Sequence, residues 1–286
     1  MRIDLHCHTT CSDGTRTPSE LIDDARAAGL DAVAITDHDT TVGWEEAGAA
    51  AMERGIALVP GVEISCERGG RSVHLLGYLL DPSDGPLTAE LAKARESRAT
   101  RLERMVALLA ADGIPLTYAA VLAQVPPGAT PGRPHIADAL VAAEVVASRD
   151  EAFARWLHDQ SPYYVHHYAP DPLLAVELVR AAGGVPVLAH PFAATRGAVQ
   201  LSGEAIGQLA DAGLAGLEAD HPDHDASARA RARALAARLG LFVTGSSDYH
   251  GSGKTTRLGD NLTDPLVLAA LEGAGSGSPV IRRSGH

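Results

Sequence analysis

Aromatic residues are scarce in this chain, at 4%, and no long uninterrupted hydrophobic run occurs. The nearest approach, Leu173 to Ala189, is broken by Glu177, Arg180 and Gly183-Gly184. It falls short of the roughly 20 apolar residues a membrane-spanning helix needs. Asp4 and His6 interrupt the start where the apolar stretch of a secretory signal would run. Cysteine is nearly absent: Cys7, Cys11 and Cys66 are an odd set of 3. That argues against a disulfide framework and fits a reducing compartment, so the expected location is the cytoplasm, without membrane association. Positive charge is short as well. With 24 Lys and Arg against 36 Asp and Glu, the formal net charge is −12, which argues against duplex DNA as a partner. A small phosphorylated substrate stays open, because bound divalent ions can reverse the field locally. Gly251-Ser252-Gly253-Lys254-Thr255-Thr256 lacks the first glycine of a P-loop, and no repeat of fixed period occurs.

What is present is an alternation of short apolar strands and amphipathic helices. Thr17-Pro18-Ser19-Glu20 reads as a capping box with proline at the first helical position. The helix it opens carries Leu21, Ile22, Ala25 and Ala28 on one stripe and stops at Gly29. Ala32 to Ile35 reads as a buried strand. A helix follows to Gly55, then strands at Ile56–Val59, Val62–Ile64 and Val73–Leu80. From about residue 86 to 165 the alternation is suspended. A long helix (Leu87 to Ala111) and shorter helical pieces define a helical insertion bounded by the Pro/Gly-rich stretches Asp81–Pro86 and Pro126–Pro134. Alternation resumes with strands Val185–Ala189, Gly216–Ala219 and Leu241–Thr244, each preceded by a helix. The Gly/Ser-rich tail after Glu272 is expected to be loose. The expected architecture is α/β, with residues 1–85 and 166–286 forming one discontinuous body and 86–165 a helical subdomain. Repeated strand–helix units imply parallel strands.

The polar residues choose between an open sheet and a barrel. His6 and His8, His38, Glu63, His190, His221, and Asp248 with His250 all lie at or just past the end of a strand signal. In a TIM-like barrel those ends converge on one rim, whereas an open sheet would hold the outer ones apart. His6 and His8 also share one side of an extended chain, so two imidazoles can face one point. Cys7, between them, points the other way and reads as a buried thiol. Single strand-end histidines are common without function, but nine Asp, Glu and His at such positions favour metal binding over coincidence. His74 lies within a strand, where a core histidine is the rival reading. Asp37 is expected to orient a ligand histidine. His158, His166 and His167 read as solvated. His221 is either a proton donor to substrate or a surface-loop residue.

These motifs together, His6-x-His8 with Asp13, Asp37-His38, Glu63, His74, His190-Pro191 and Asp248-x-His250, resemble the successive motifs of the PHP (polymerase and histidinol phosphatase) family of metal-dependent phosphoesterases. The likeness spans residues 1–80 and 185–252. The insertion, with Gly132-Arg133-Pro134-His135, resembles the subgroup acting on nucleotides, which includes 3′,5′-bisnucleotide phosphatases and 5′-to-3′ RNA-trimming enzymes. The resemblance implies a distorted (β/α)7 barrel and two to three divalent ions (Mn²⁺, Zn²⁺, Fe²⁺ or Mg²⁺). One ion would take His6, His8, Glu63 and Asp248. A second would share Glu63 and add His74 and His190, and a third would take Asp13, His38 and His250. Many relatives carry His where this chain has Asp13, and a carboxylate there favours the harder ions.

The implied chemistry is hydrolysis of a phosphate ester. Two ions about 3.5–4 Å apart can hold a hydroxide and polarise phosphoryl oxygens, with a carboxylate such as Glu63 bridging them. Glu63, Asp248 and His221 are the expected catalytic groups. Arg101, Arg133, His135 and Lys254 are the expected substrate contacts, with Arg98 a further candidate from the same helical stripe. Pro134 opens a helix whose N-terminus suits an anion, and a guanidinium suits phosphate. The expected substrate is a nucleotide phosphomonoester, a 3′,5′-bisphosphonucleoside or AMP-like, or short RNA trimmed from its 5′ end, by a protein acting as a monomer. A histidinol phosphate phosphatase is the alternative enzyme. A non-catalytic ligand-binding module is the alternative class, and retention of all nine metal-site residues counts against it.

Overall fold

The computed structural model describes residues 1–193 and 201–283. In chain order it runs β1 (Ile3–Asp4), α1 (Pro18–Ala27), β2 (Ala32–Ile35), α2 (Trp44–Arg54), β3 (Ala57–Arg68), β4 (Arg71–Tyr78), α3 (Gly85–Ala111) and α4 (Tyr118–Leu122). There follow α5 (Arg133–Ala142), α6 (Arg149–Ala152) with a π-helical turn at Phe153–Leu157, α7 (Pro172–Ala181), β5 (Val185–Leu188), α8 (Gly203–Asp211), β6 (Gly216–Asp220), α9 (Ala226–Leu239), β7 (Phe242–Gly245) and α10 (Pro265–Ala274). No helix is long and apolar enough to cross a membrane among the described residues.

Helix ends follow local chemistry. The Thr17–Glu20 capping box is formed with both reciprocal bonds, a cap that contributes about 1 kcal/mol. Gly55 and Gly240 end α2 and α9 in the left-handed conformation, at φ 72° and 67°, which glycine adopts without the Cβ penalty.

The seven strands hydrogen-bond in sequence order, β1 to β7, and form a nearly closed, distorted TIM-like barrel. The gap between β7 and β1 is spanned just beyond the strands, where the Cys7 and Tyr249 backbones form a bridge and His8 N–H donates to Tyr249 O at 2.8 Å. Alternation separates two apolar layers. Ala32, Ala34, Val59, Leu76 and Val187 join an inner cluster, while Val33, Ile35, Leu58, Leu75 and Leu188 face the surrounding helices. Leu268 and Leu271 of α10 belong to the inner cluster, beside Ile3, Ala32 and Val185 at the strand starts. The barrel is therefore plugged from its N-terminal end, and its opposite rim is left for function.

The expectation of uniformly parallel strands fails at β4. It pairs antiparallel with both β3 and β5, because Arg68-Gly69-Gly70-Arg71 closes a two-residue hairpin with both glycines at positive φ, 61° and 75°. The stretches expected as two short strands, Ile56–Val59 and Val62–Ile64, are one strand, β3. Reversal of β4 explains His74: its residue pairs with Ser65 near the C-terminal end of β3, so a mid-strand position still reaches the functional rim.

As far as Ile281 the tail is not loose. Ile281 pairs with Leu58 by hydrogen bonds of 2.8 and 2.9 Å, and Ser278 Oγ donates to Leu80 O at 2.8 Å. A Cβ at Gly277 would lie 2.3 Å from Asp81 N and 2.5 Å from Ala182 O, whereas one at Gly273 would meet nothing within 4 Å. Gly277→Ala is therefore expected to destabilise by roughly 1–3 kcal/mol. Gly273→Ala, at an exposed helical site, should be neutral or stabilising by about 0.5–1 kcal/mol. Urea unfolding of the two variants measures both, and equal midpoints would contradict the close-approach argument.

Candidate metal centre

The rim gathers side chains from six strands and their following loops. His6 and His8 leave β1, Asp13 follows in the next turn, and His38 follows β2. Glu63 lies within β3, His74 within β4, and His190 just past β5. Asp248 and His250 follow β7. All nine are buried. His190 and Asp248 have positive φ, 26° and 49°, a backbone conformation uncommon for such residues and tolerated where the surroundings fix the side chain.

His6 Nε2 and His8 Nε2 face each other at 3.1 Å. They lie 3.3 and 3.1 Å from Glu63 Oε2, and 3.6 and 3.4 Å from Asp248 Oδ1. Ligands about 2.1 Å from a tetrahedral ion stand about 3.4 Å apart, so these four atoms suit a common cation. The other Glu63 oxygen contacts His74 Nδ1 and lies 3.1 Å from His190 Nε2. Asp13 Oδ1 lies 3.3 Å from His250 Nε2, and its Oδ2 lies 3.8 Å from His38 Nε2. His38 Nδ1 is buried without a hydrogen-bond partner, although Glu63 Oε2 is 3.2 Å away. Overlapping triads of these residues have the spacing of metal ligands.

Partners on the far ring nitrogens aim the imidazoles. His6 Nδ1 lies 3.0 Å from Glu218 Oε1, and His250 Nδ1 lies 2.8 Å from Asp248 O. Each partner is an acceptor, so each Nδ1 donates and Nε2 is the ring atom left to face a cation. His221 has the opposite arrangement. Asp223 N–H donates to its Nδ1 at 3.0 Å, so the proton sits on Nε2, 3.3 Å from Asp248 Oδ2. His224 has both nitrogens engaged, with Ala219 O and Phe192 N–H.

Burial by itself would raise the carboxyls of Glu63, Asp248 and Asp13. Neighbouring imidazoles and Lys254 hold all three well below the usual range: His74, His38 and His6 around Glu63, Lys254, His6 and His250 around Asp248, and His250 and His38 around Asp13. Burial pushes His250 down to about 4 and His38 far below its ordinary value. His6 and His8 move the other way against burial, His8 to about 9, drawn up by the carboxylates. Ionised carboxylates without a sufficient counter-charge are costly when buried. Divalent ions would meet that need and displace protons from the imidazoles.

The remaining expected residues divide. Arg98 is buried, but its Nε donates to Asp39 Oδ2 at 2.8 Å and its Nη2 to Ser65 Oγ, so it braces the loop after His38 instead of waiting for phosphate. Arg101, also buried, pairs with no carboxylate among the described residues. Its Nη1 lies 3.2 Å from His167 Nδ1 and its Nε has no partner. His167 is therefore not solvated as expected: burial and then Arg101, Arg98 and Arg133 keep its ring neutral, and His74 is among the groups acting on it. Arg133 is held by Asp159 Oδ1 at 2.5 Å and Leu157 O at 2.7 Å, between the rings of Phe153 and Tyr164. His135 Nδ1 accepts from Gly132 N–H at 3.0 Å. Lys254 Nζ lies 2.5 Å from Asp248 Oδ2. Among the described residues Asp37 bonds no histidine directly; its carboxylate accepts from Thr9 N–H, Thr9 Oγ and Ser12 Oγ at 2.6–2.8 Å, so it braces the loop carrying Asp13 and reaches His8 through Ser12, whose Oγ lies 3.4 Å from His8 Nδ1. Sequence reasoning missed Glu218. It is fully buried and accepts from His6, from His190 N–H and from Ser246 Oγ. Its signal was a lone charge inside the apolar run Gly216-Leu217-Glu218-Ala219.

The PHP domain profile matches residues 4–117. A 3′,5′-nucleoside bisphosphate phosphatase of Chromobacterium violaceum is 35% identical over 255 residues, 89% of each chain. A 5′-3′ exoribonuclease of Haemophilus influenzae is 38% identical over 67% of this chain and 69% of its own. Among solved structures, one from Bifidobacterium adolescentis, assigned as a metal-dependent phosphoesterase, has TM-score 0.93 at 43% identity, with 96% of each chain covered. An amidohydrolase from Chromobacterium violaceum with bound sulfate and no metal has TM-score 0.88 at 32% identity, with 99% of each chain covered.

Because Glu63 offers one oxygen to each of two groups of nitrogens, Glu63→Gln should weaken divalent-ion binding at more than one position. Calorimetric titration of chelator-treated protein with Mn²⁺ reads this. Wild-type stoichiometry and affinity in the variant would remove Glu63 from the centre.

Proposed function

The chain belongs to the PHP family of metal-dependent phosphoesterases, and from that premise we propose that it hydrolyses a phosphomonoester of a small nucleotide bearing a second phosphate and trims short RNA from the 5′ end by the same chemistry. The carrying observation is Arg101. A buried guanidinium with no carboxylate partner, beside a neutral histidine and close to the imidazole cluster, is costly unless an anion completes it. A phosphate with forked acceptors suits that vacancy. The similar bisphosphate phosphatase and exoribonuclease act on substrates with just such a second phosphate or its internucleotide equivalent.

In this reading His6, His8, Asp13, His38, Glu63, His74, His190, Asp248 and His250 hold two to three divalent ions, and residues 86–165 form a helical subdomain over the rim. The bound ions supply a nucleophile near neutral pH and offset charge at phosphorus. The protein's own groups do the rest. Glu218 fixes the tautomer and tilt of His6. His221 Nε2–H, which faces Asp248 Oδ2, can hydrogen-bond the leaving oxygen, and Asp248 orients that donor. Lys254 and Asp248 form an ion pair at the same edge, where the lysine can turn to a phosphoryl oxygen. Arg101 and His167 take the second phosphate, and Arg133, already paired with Asp159, shapes the wall behind them.

Metal-stripped protein given Mn²⁺ should release phosphate from a 3′,5′-bisphosphonucleoside faster than from AMP, and much faster than from histidinol phosphate. The reverse order would favour histidinol phosphate phosphatase, and no release with any divalent ion would favour a binding module. Arg101→Ala should raise KM for the bisphosphate by about 10–100-fold, the loss of one or two charge-assisted hydrogen bonds, with little change on an aryl phosphate. Equal effects on both substrates would remove Arg101 from recognition.

A further inference from the structure

Glu63 and His74 sit inside strands, but Asp13, His38 and His250 sit in loops. Each of those loops is held from outside the barrel by α3–α6 or the segments joining them. Arg149, the first residue of α6, donates from Nε and Nη2 to the two oxygens of Asp138 in α5, at 2.6 and 2.7 Å. That bidentate pair fixes the guanidinium plane. Its remaining Nη1 donates to the backbone carbonyl of Asp13 at 3.0 Å, the only donor to that carbonyl among the described residues. The same Nη1 lies against Gly253, where a Cβ would approach to 2.3 Å. Gly253 N–H in turn donates to His250 O at 3.2 Å. One arginine thus bears on the loops of both Asp13 and His250. Nearby, Thr130 N–H donates to Cys11 O at 2.9 Å. On the other flank Arg98 holds Asp39, the residue after His38, and Arg95 Nη1 donates to Asp39 O at 2.5 Å.

We propose that α3–α6 clasp the loops which carry Asp13, His38 and His250, and that Arg149 is a positioning residue for the cation these three would hold. The inference rests on the metal reading given above. Ligand atoms carried on loops drift unless braced, and a shift of about 0.5 Å is enough to spoil a coordination geometry. Glu63 and His74 have the sheet for support, and His6 and His190 follow a strand end by two residues, so the dependence falls most heavily on the ligands of the clasped loops. A clasp built this way couples the helices to one ion position and leaves the Glu63-centred ones alone.

The test is calorimetric titration of chelator-treated full-length protein with Mn²⁺, with bound metal counted by elemental analysis after gel filtration. Arg149→Ala should weaken one Mn²⁺ equivalent by about 10–100-fold, as loss of a partner that orients a ligand does, with the others within twofold. Arg149→Lys, which can reach Asp13 O but cannot keep the bidentate grip on Asp138, should recover part of the loss. Asp138→Ala frees Arg149 without removing it and should produce the same selective loss at smaller size; it decides the matter if Arg149→Ala does not fold. Wild-type binding of every equivalent in these variants, or equal weakening of all equivalents, would overturn the inference. Asp13→Ala separates this from the underlying reading. If it loses one equivalent while Arg149→Ala and Asp138→Ala lose none, the clasp alone is wrong. If it loses none, Asp13 is not a ligand and both fall.

Discussion

The constraint on which the structure turns is the burial of Glu63. Its two oxygens face nitrogens on opposite sides, His6 and His8 toward one and His74 and His190 toward the other. A single carboxylate in that position forces strands from both halves of the barrel to meet at one rim. It also forces a charge problem, because Asp248, Asp13 and Glu218 are buried close by. Without ions, protons on His6 and His8 offset part of the negative charge. The protein therefore keeps an arrangement that folding alone does not favour, which is the usual mark of a site maintained for chemistry.

The barrel answers the constraint with a division of labour. Its N-terminal end is closed by α10 and by the tail packed at Gly277, and that end carries stability. The opposite rim is given over to charged groups. Around them a shell of single-purpose contacts sets ring orientation and loop position: Glu218 on His6, Asp37 on Thr9 and Ser12, Asp39 on Ser65. Arg98 and Arg101, three residues apart on α3, have opposite fates for a local reason. Arg98 meets Asp39, a carboxylate that satisfies it, and Arg101 meets a histidine and pairs with no carboxylate among the described residues.

Most of this was legible in the sequence, because strand ends and metal-binding side chains coincide there. Polar residues at the strand ends set His6, His8, Glu63 and Asp248 on one rim, and their grouping around a single ion came from the resemblance to the PHP family. The reversal of β4 was not recognised, although Gly69-Gly70 between two apolar runs is a hairpin signal; the repeated strand–helix rhythm outweighed it. The tail misled for a related reason, since glycine marks both looseness and close approach, and only the neighbours of Gly277 tell which. Glu218 left only its lone charge in an apolar run and Asp39 left no signal, because both act through others, and no spacing rule encodes a partner 212 or 59 residues away.

The central claim is that cations, not protons, complete the Glu63 cluster. A crystal grown with Mn²⁺ and measured near its absorption edge tests this most directly. The account predicts anomalous peaks on both sides of the Glu63 carboxylate, one within bonding distance of His6 and His8 and one of His74 and His190. A well-ordered Glu63 with no anomalous density beside it, in protein saturated with Mn²⁺, would contradict it.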